Sequence, residues 1–239
     1  MTVSVENLRI KLFADGADLK GMLEMNAKPY IKGLTTNPTL MRKAGITNYR
    51  AFAAEVLSQI TDKPISFEVF SDDLEEMKFQ ALEIASWGEN VYVKIPITNT
   101  MGITTAPVIH HLVGQGVKVN VTALMTSEQV STVSAVLDPR IPSYVSVFAG
   151  RIADTGRNPE LIMKEAIEIL RNLQNAELIW ASPRELLNIF QADEIGCHII
   201  TATNDILQKL ELVGRSLDTY SLETVQMFRR DSVASEFNL

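Results

Sequence analysis

The sequence alternates between two kinds of segment, and this alternation restricts the fold more than any other feature. Helical apolar spacing is found at residues 49–60, 74–87, 104–113, 128–137, 159–173 and 184–192. Short runs rich in apolar and β-branched residues occur eight times, at residues 9–14, 33–36, 65–70, 90–96, 117–123, 143–149, 177–182 and 196–201. Strands that alternate with helices in this way predict a parallel sheet covered by helices.

Eight such repeats favour a closed (β/α)8 TIM barrel. No glycine-rich or charged linker interrupts the chain, so we expect residues 1–239 to form one domain, as barrels of roughly 250 residues commonly do. An open doubly wound sheet is the alternative, but neither a GxGxxG nor a P-loop pattern follows any predicted strand. The pattern of residues 217–237 predicts an additional C-terminal helix. Two positions are open for its apolar side chains: against the barrel or against another subunit.

Charge and composition argue against several classes of protein. The net charge of −7 disfavours a nucleic-acid-binding protein, which needs clustered basic residues, and Arg229-Arg230 is too short a cluster. The single cysteine, Cys197, allows no intrachain disulfide and fits a reducing compartment. No signal peptide and no apolar stretch of roughly 20 residues is present. We therefore expect a cytoplasmic protein with no membrane partner.

Histidine and acidic residues do not show metal-ligand spacing. His110 and His111 are adjacent and point in different directions on a helix, while His198 stands alone in its strand. The carboxylates of residues 72–76 fit the first turn of a helix, where they complement its dipole. We expect no metal site.

Lys94 stands on the inner face of the fourth predicted strand. In the segment VYVKIP, alternate side chains share a face, so Lys94 lies opposite the apolar Val91, Val93 and Ile95. That apolar face suits contact with the helices, which turns Lys94 into the barrel. Removal from water disfavours the charged ammonium and favours the free amine that attacks carbonyl carbons. A lysine that reaches solvent from a strand end is the alternative.

Four other predicted strands send polar side chains to the same interior. The same alternation turns these residues inward: Asp15, Ser66, Glu68, Asn120, Thr122 and Ser146, together with the rings of Phe13, Phe70, Tyr144 and Phe148. Any one polar group could be an ordinary buried residue bonded to the backbone, but together they carry a large desolvation cost. Because barrel active sites lie at the carboxyl ends of the strands, the pattern predicts a polar catalytic centre there.

Six motifs follow one another along the predicted strands: LFADG, GLTTNPT, VYVKIPIT, NVTALMT, SVFAGRI and WASPR. Over about residues 12–228 they resemble, in order, the motifs of the transaldolase family, particularly its compact members, which include the fructose-6-phosphate aldolases. The combination of GLTTNP with VKIP is specific to this family. An unrelated Schiff-base barrel, such as a deoxyribose-phosphate aldolase, would lack the pairing of GLTTNP with SVFAGRI.

The resemblance implies a role for each matching position. Lys94 forms the Schiff base, Asp15 is the base acting on a substrate hydroxyl, and Glu68 is the acid/base that works through a water. Asn37 and Thr122 complete the expected catalytic set. The expected substrate-binding residues are Thr36, Asn120, Ser146, Phe148, Arg151, Ser182 and Arg184, of which Arg151, Ser182 and Arg184 match phosphate-binding positions.

The resemblance also implies an activity without metal or organic cofactor. A transaldolase moves a dihydroxyacetone unit from a ketose phosphate, sedoheptulose 7-phosphate or fructose 6-phosphate, to an aldose phosphate in the pentose phosphate pathway. Glu68 and Phe148 stand where typical fructose-6-phosphate aldolases carry glutamine and tyrosine, and both favour transfer. The alternatives are an aldolase that releases free dihydroxyacetone and a catalytically silent sugar-phosphate-binding relative.

Three positions depart from the family pattern. Gly16 replaces a small hydroxyl residue, Pro183 replaces a common aromatic residue, and Trp180 stands where smaller residues are frequent. We expect Trp180 to pack inside the barrel, with a narrowed pocket as the alternative. Compact family members form pentamers or decamers with help from the C-terminal helix, so the resemblance implies a homo-oligomer.

Overall fold

Eight parallel strands close into a barrel in chain order in the computed structural model, which describes residues 5–235. The barrel closes where β1 pairs with β8, from Lys11 beside Ile199 to Asp15 beside Thr203. The strands are β1 Lys11–Asp15, β2 Ile31–Thr35, β3 Ile65–Glu68, β4 Val91–Pro96, β5 Val119–Leu124, β6 Ser143–Val147, β7 Ala176–Trp180 and β8 Ile199–Thr203. The predicted (β/α)8 barrel is confirmed, and the open sheet is excluded.

Helices follow the strands and form the outer layer. They are α1 Leu19–Asn26, α2 Pro38–Lys43, α3 Tyr49–Gln59, α4 Leu74–Ala85, α5 Ala106–Gly114, α6 Ser127–Ser134, α7 Ala149–Asp154, α8 Pro159–Leu170, α9 Leu187–Glu194, α10 Asn204–Gln208 and α11 Leu217–Ala234. Several begin at a side-chain cap, as where Asn37 accepts a hydrogen bond from the amide of Leu40 at the start of α2. No helix within residues 5–235 is long and apolar enough to cross a membrane.

Alternation along the strands divides the core into two layers. Outward residues such as Val91, Val93 and Ile95 are buried between the barrel and the helices, and each contributes about 1.5–3 kcal/mol by burial. A smaller cluster fills the barrel interior: Phe13, Tyr144, Ile179, Ala181 and Ile199, with Tyr92 and Phe148 packed against it. The expectation that Trp180 packs inside the barrel is wrong. Because Ile179 points inward, its neighbour Trp180 points outward and is buried beneath the helices.

The predicted C-terminal helix is present as α11, although residues 236 and 237 lie outside the described part of the chain. None of its residues is buried. Leu217 and Phe228 are 81% and 63% exposed, and Leu222, Val225 and Val233 are exposed as well. Packing of these side chains on their own barrel, one of the two alternatives, therefore does not occur.

Candidate active site

A cavity of about 680 Å³ opens at the carboxyl ends of the strands. Aromatic rings fill the barrel interior beneath it. The rings of Tyr92 and Tyr144 stack with centroids 4.0 Å apart, and Phe13 meets Tyr144 edge-on at 5.7 Å. The size of the cavity is typical of sites that bind small molecules.

Lys94 reaches this cavity from β4 and is only 7% exposed. Its Nζ lies 3.1 Å from Oε2 of Glu68 and donates a hydrogen bond of 2.9 Å to the carbonyl of Thr36. The predicted inward orientation is confirmed. Glu68 is close enough to the Nζ of Lys94 to form an ion pair with it and to accept its proton.

The bond from Lys94 to Thr36 exists because the ladder between β2 and β3 opens at this point. The amide of Thr36 bonds to the carbonyl of Ser66 at 3.2 Å, so in a regular parallel ladder the amide of Glu68 would bond to the carbonyl of Thr36. Instead, the Tyr49 hydroxyl accepts from the Glu68 amide at 2.8 Å and donates to the Glu68 carbonyl at 3.1 Å. The carbonyl of Thr36 is thereby left for Lys94.

Asp15 ends β1 and is held by two neighbours. The hydroxyl of Thr35 donates to Oδ1 at 2.8 Å, and the amide of Asn37 donates to Oδ2 at 3.2 Å. Burial raises the pKa of Asp15 above its ordinary value, while the charge of Lys94 and the Thr35 hydrogen bond oppose that rise. A carboxylate with a raised pKa is a stronger base, which suits proton abstraction from a hydroxyl.

A hydrogen-bonded chain crosses the pocket wall from β6 to β3. Ser146 donates to Oδ1 of Asn120 at 2.7 Å, and Nδ2 of Asn120 donates to Oγ of Ser66 at 2.9 Å. Thr122 differs, because its buried hydroxyl has no hydrogen-bond partner among the described residues although the residue lines the cavity. Ala123 next to it has a φ of 65° within a register shift of β5. A free hydroxyl of this kind can hold a water or a substrate oxygen.

Two arginines form the basic wall of the cavity. The guanidinium of Arg151 lies over the ring of Phe148, 5.8 Å from its centroid. Arg184 forms a two-armed ion pair with Asp154, with 2.9 Å between Nε and Oδ1. Ser182 also lines the cavity and has a φ of 59°. This wall is suited to a phosphate group.

Gly150 allows the two halves of the basic wall to meet. A Cβ atom at this position would lie 1.6 Å from the carbonyl oxygen of Ser182 and 3.3 Å from Nε of Arg184. Only glycine lets the start of α7 approach the loop after β7 this closely.

The cavity collects all but one of the predicted site residues. Those that line it are Asp15, Asn37, Glu68, Lys94, Asn120, Thr122, Ser146, Phe148, Arg151, Ser182 and Arg184. Thr36, the remaining residue predicted to bind substrate, does not line the cavity: it is fully buried, and its hydroxyl donates to the carbonyl of Ser66 at 2.8 Å. Thr35, its neighbour on the inward face, lines the cavity instead.

Several residues that line the cavity were not among those predicted from the sequence. Thr201 and Thr203 on β8 could have been found by applying the alternation of faces to the last strand, and the hydroxyl of Thr201 lies 2.6 Å from that of Thr35. Lys43 and Asp205 come from α2 and α10, for which the sequence carried no signal. Phe70, predicted to face inward, lies past the end of β3 with its ring 4.5 Å from that of Tyr49.

The residues considered as metal ligands have other contacts. Nδ1 of His198 accepts a hydrogen bond of 3.0 Å from the amide of Leu178, and Asp72 accepts from the amide of Thr100 at 2.7 Å. Within residues 5–235, no group of three or more His, Cys, Asp or Glu side chains is arranged to hold a metal ion.

Solved structures with a similar fold include several barrel enzymes. A mandelate oxidase mutant superposes with a TM-score of 0.56 at 10% identity, covering 84% of this chain and 71% of that one. A fructose-1,6-bisphosphate aldolase from Coccidioides immitis, described as a candidate, gives 0.53 at 13% identity, covering 90% and 83%. At such low identity these likenesses concern the fold alone.

Sequence relatives are more informative. A probable transaldolase of Thermoanaerobacter sp. strain X514 is 36% identical over 205 residues, covering 84% of this chain and 89% of that one. A probable transaldolase of Methanococcus maripaludis strain C5 is 33% identical over 203 residues, with 84% and 89% covered. The family model described as Transaldolase/Fructose-6-phosphate aldolase matches residues 12–239, which include every residue of the cavity and all of the strand residues except Lys11. The barrel, its buried lysine and its carboxylates therefore stand in a chain that belongs to the transaldolase/fructose-6-phosphate aldolase family.

Proposed function

We propose that the protein is a transaldolase, which transfers a dihydroxyacetone unit between sugar phosphates through a Schiff base on Lys94. The observation that carries the proposal is the position of the Lys94 Nζ, buried in the cavity and 3.1 Å from Oε2 of Glu68. Nucleophile and proton acceptor are thus in contact, as Schiff-base formation requires. The family membership and the names of the relatives support the reaction class.

Schiff-base formation begins with a proton transfer from the Lys94 ammonium to Glu68. The free amine attacks the keto carbon of the ketose phosphate, and proton transfer from nitrogen to oxygen gives a carbinolamine. Glu68 then returns its proton to the carbinolamine hydroxyl, which leaves as water and gives an iminium ion. The unpartnered hydroxyl of Thr122 is available to hold that water.

Carbon–carbon cleavage uses Asp15. Its carboxylate takes the proton of the hydroxyl next to the scissile bond, the bond breaks, and its electron pair moves to the iminium nitrogen. An aldose phosphate leaves, and a neutral enamine remains on Lys94. The raised pKa of Asp15 favours the proton transfer, and Thr35 and Asn37 orient the carboxylate.

The enamine has two possible fates. In a transaldolase its carbon attacks the aldehyde of an acceptor aldose phosphate, Asp15 returns the proton to the new alkoxide, and hydrolysis of the iminium releases the product. In an aldolase the enamine is protonated, and hydrolysis releases free dihydroxyacetone. Phe148 lines the cavity without a hydroxyl that could deliver that proton, and this observation supports transfer.

Borohydride trapping tests the proposal. The protein is reduced with fructose 6-phosphate, with and without erythrose 4-phosphate, and digested for mass spectrometry while free dihydroxyacetone is assayed. We expect a reduced dihydroxyacetone adduct on Lys94 that the acceptor discharges, with little free ketone. Abundant free dihydroxyacetone would indicate an aldolase. Absence of an adduct with this donor and with sedoheptulose 7-phosphate would leave the silent sugar-phosphate-binding relative as the better account.

Two variants complete the test. Lys94→Met fills the inward position with an uncharged side chain of similar length, so we expect loss of adduct and of activity with the fold retained. Lys118→Met is the matched control, because Lys118 lies outside the cavity with its Nζ 5.5 Å from the centroid of the Tyr92 ring. It should keep full activity.

The setting of the enzyme is part of the proposal. A homo-oligomer, pentameric or decameric by the family resemblance, would cover the exposed apolar residues of α11, whereas a monomer in a sizing measurement would contradict it. We place the enzyme in the cytoplasm, acting on sugar phosphates of the pentose phosphate pathway and without a nucleic-acid or membrane partner.

A further inference from the structure

We propose that Asp154 determines the selectivity of the cavity for phosphorylated substrates, because it holds Arg184 with one edge of its guanidinium free toward the cavity. Asp154 would then be a positioning residue that acts through Arg184. The inference rests on the proposed function only for the identity of the sugar, since the anion site itself can be tested with inorganic phosphate.

The ion pair uses one edge of the guanidinium. Nε of Arg184 donates to Oδ1 of Asp154 at 2.9 Å, and Nη2 donates to Oδ2. Nη1 has no hydrogen-bond partner among residues 5–235, although Arg184 lines the cavity. Since a guanidinium is a rigid planar fork, fixing one edge also fixes the direction of the remaining donors.

The structure of α7 alone does not account for a carboxylate at this position. Asp154 is the last residue of α7, where the helix dipole disfavours a negative charge. Both side chains are about half exposed, and a pair of this kind adds little to stability. Hydrogen bonds from Arg184 lower the pKa of Asp154, so the carboxylate stays charged at neutral pH. Neither the helix dipole nor the stability of the ion pair explains Asp154, so we assign it the role of orienting Arg184.

The neighbouring residues direct both arginines to one place. Gly150 lets the loop after β7 rest against the start of α7, which brings Arg184 within reach of Asp154 one turn later. Arg151 on the same helix is held over the ring of Phe148. Two arginines with one carboxylate leave a net positive charge, so the wall attracts a phosphate dianion and offers nothing comparable to an uncharged sugar.

The test compares Asp154→Asn with Asp138→Asn in the full-length protein. Asp138 forms a similar two-armed pair with Arg140, at 2.9 and 2.6 Å, but neither residue lines this cavity. Binding of inorganic phosphate is measured by calorimetry, and kcat and KM are measured with fructose 6-phosphate and erythrose 4-phosphate. Borohydride trapping of dihydroxyacetone on Lys94 reports the same site without a phosphate.

We expect Asp154→Asn to weaken phosphate binding and to raise KM for both sugar phosphates by about tenfold, the effect of one misplaced charge-assisted hydrogen bond. The kcat value and the rate of dihydroxyacetone trapping should stay within about twofold of the parent. Asp138→Asn should match the parent in every measurement.

Other results would overturn the inference. An unchanged phosphate affinity would mean that Asp154 has no effect on the anion site. A tighter affinity would mean that Asp154 competes with the phosphate for Arg184. An equal loss in dihydroxyacetone trapping would indicate general damage to the fold. If the parent forms no adduct on Lys94 but binds phosphate in an Asp154-dependent way, the proposed function fails while this inference stands.

Discussion

Replacing Tyr49 with phenylalanine tests whether the open ladder between β2 and β3 supports catalysis. The substitution removes one oxygen and leaves the ring, which contacts Trp87, Phe67 and Phe70 at centroid distances of 5.3, 6.0 and 4.5 Å. The lost oxygen serves both backbone groups of Glu68, at 2.8 and 3.1 Å. Burial raises the pKa of Tyr49, so its hydroxyl remains a donor at every pH of interest.

The size of the effect follows from these two hydrogen bonds. Leaving the Glu68 amide unsatisfied costs about 1–3 kcal/mol, and the carbonyl bond contributes about 1 kcal/mol more. We therefore expect the free energy of unfolding to fall by about 2–4 kcal/mol and Tm by roughly 5–15 °C for a chain of this length. Because Glu68 loses its backbone anchor next to Lys94, kcat should fall by about tenfold to a hundredfold while KM changes little.

Urea unfolding followed by fluorescence and steady-state kinetics measure the two effects. Tyr30→Phe is the matched control, because the Tyr30 hydroxyl makes no hydrogen bond within residues 5–235 while its ring lies 5.8 Å from Nζ of Lys28. If Tyr49→Phe has the same free energy of unfolding and the same kcat as the parent, the open ladder contributes neither to stability nor to catalysis. A loss of stability with unchanged kcat would mean that Tyr49 has a structural role only.

Two further substitutions test the barrel interior and its response to acid. A Cβ atom on Gly33 would lie 2.5 Å from the Phe13 ring, so Gly33→Ala should destabilise the protein by about 1–3 kcal/mol in urea unfolding. Gly114→Ala is the control: a Cβ atom there meets open space, so this substitution should be neutral or stabilising. Nδ1 of His198 accepts a hydrogen bond from the amide of Leu178, and burial lowers the pKa of His198. The contribution of neutral His198 to stability is therefore complete above its pKa of 6.5 in the unfolded chain, and it is lost as pH falls toward the lower pKa in the folded protein. His198→Asn retains an acceptor that does not titrate, and it should flatten the stability difference between about pH 7.5 and about pH 5.5; an unchanged slope would contradict this assignment.

The order of strands and their faces could be predicted from the sequence because both are local properties. Apolar residues alternate along each strand, as in Val91, Val93 and Ile95, and this alternation identifies the outer face without knowledge of the neighbours. Strand limits were less accurate where turns resemble strands. The predicted strand 196–201 starts at Ile199 in the structure, because Gly196 has a φ of 80° and follows α9 as a turn.

For the site, the sequence predicted the direction of each side chain on its own strand but not the contacts between residues of different elements. Alternation turned Glu68 and Lys94 inward, but the ion pair depends on their being adjacent across β3 and β4. The contacts of Tyr49 with Glu68 and of Arg184 with Asp154 join residues 19 and 30 positions apart and arise from tertiary packing. Thr35 is different, because the alternation of faces along β2 is itself sufficient to place its side chain in the barrel interior.

The aromatic rings beneath the cavity also bear on the order of events during turnover. Because Phe13, Tyr92 and Tyr144 fill the interior below Lys94, molecules reach the lysine only through the mouth at the carboxyl ends of the strands. Donor and acceptor sugars would also share one pair of arginines. A transferase of this shape has to work by a ping-pong scheme, in which the first aldose departs before the second enters, and each substrate in excess competes for the form of the enzyme that awaits the other.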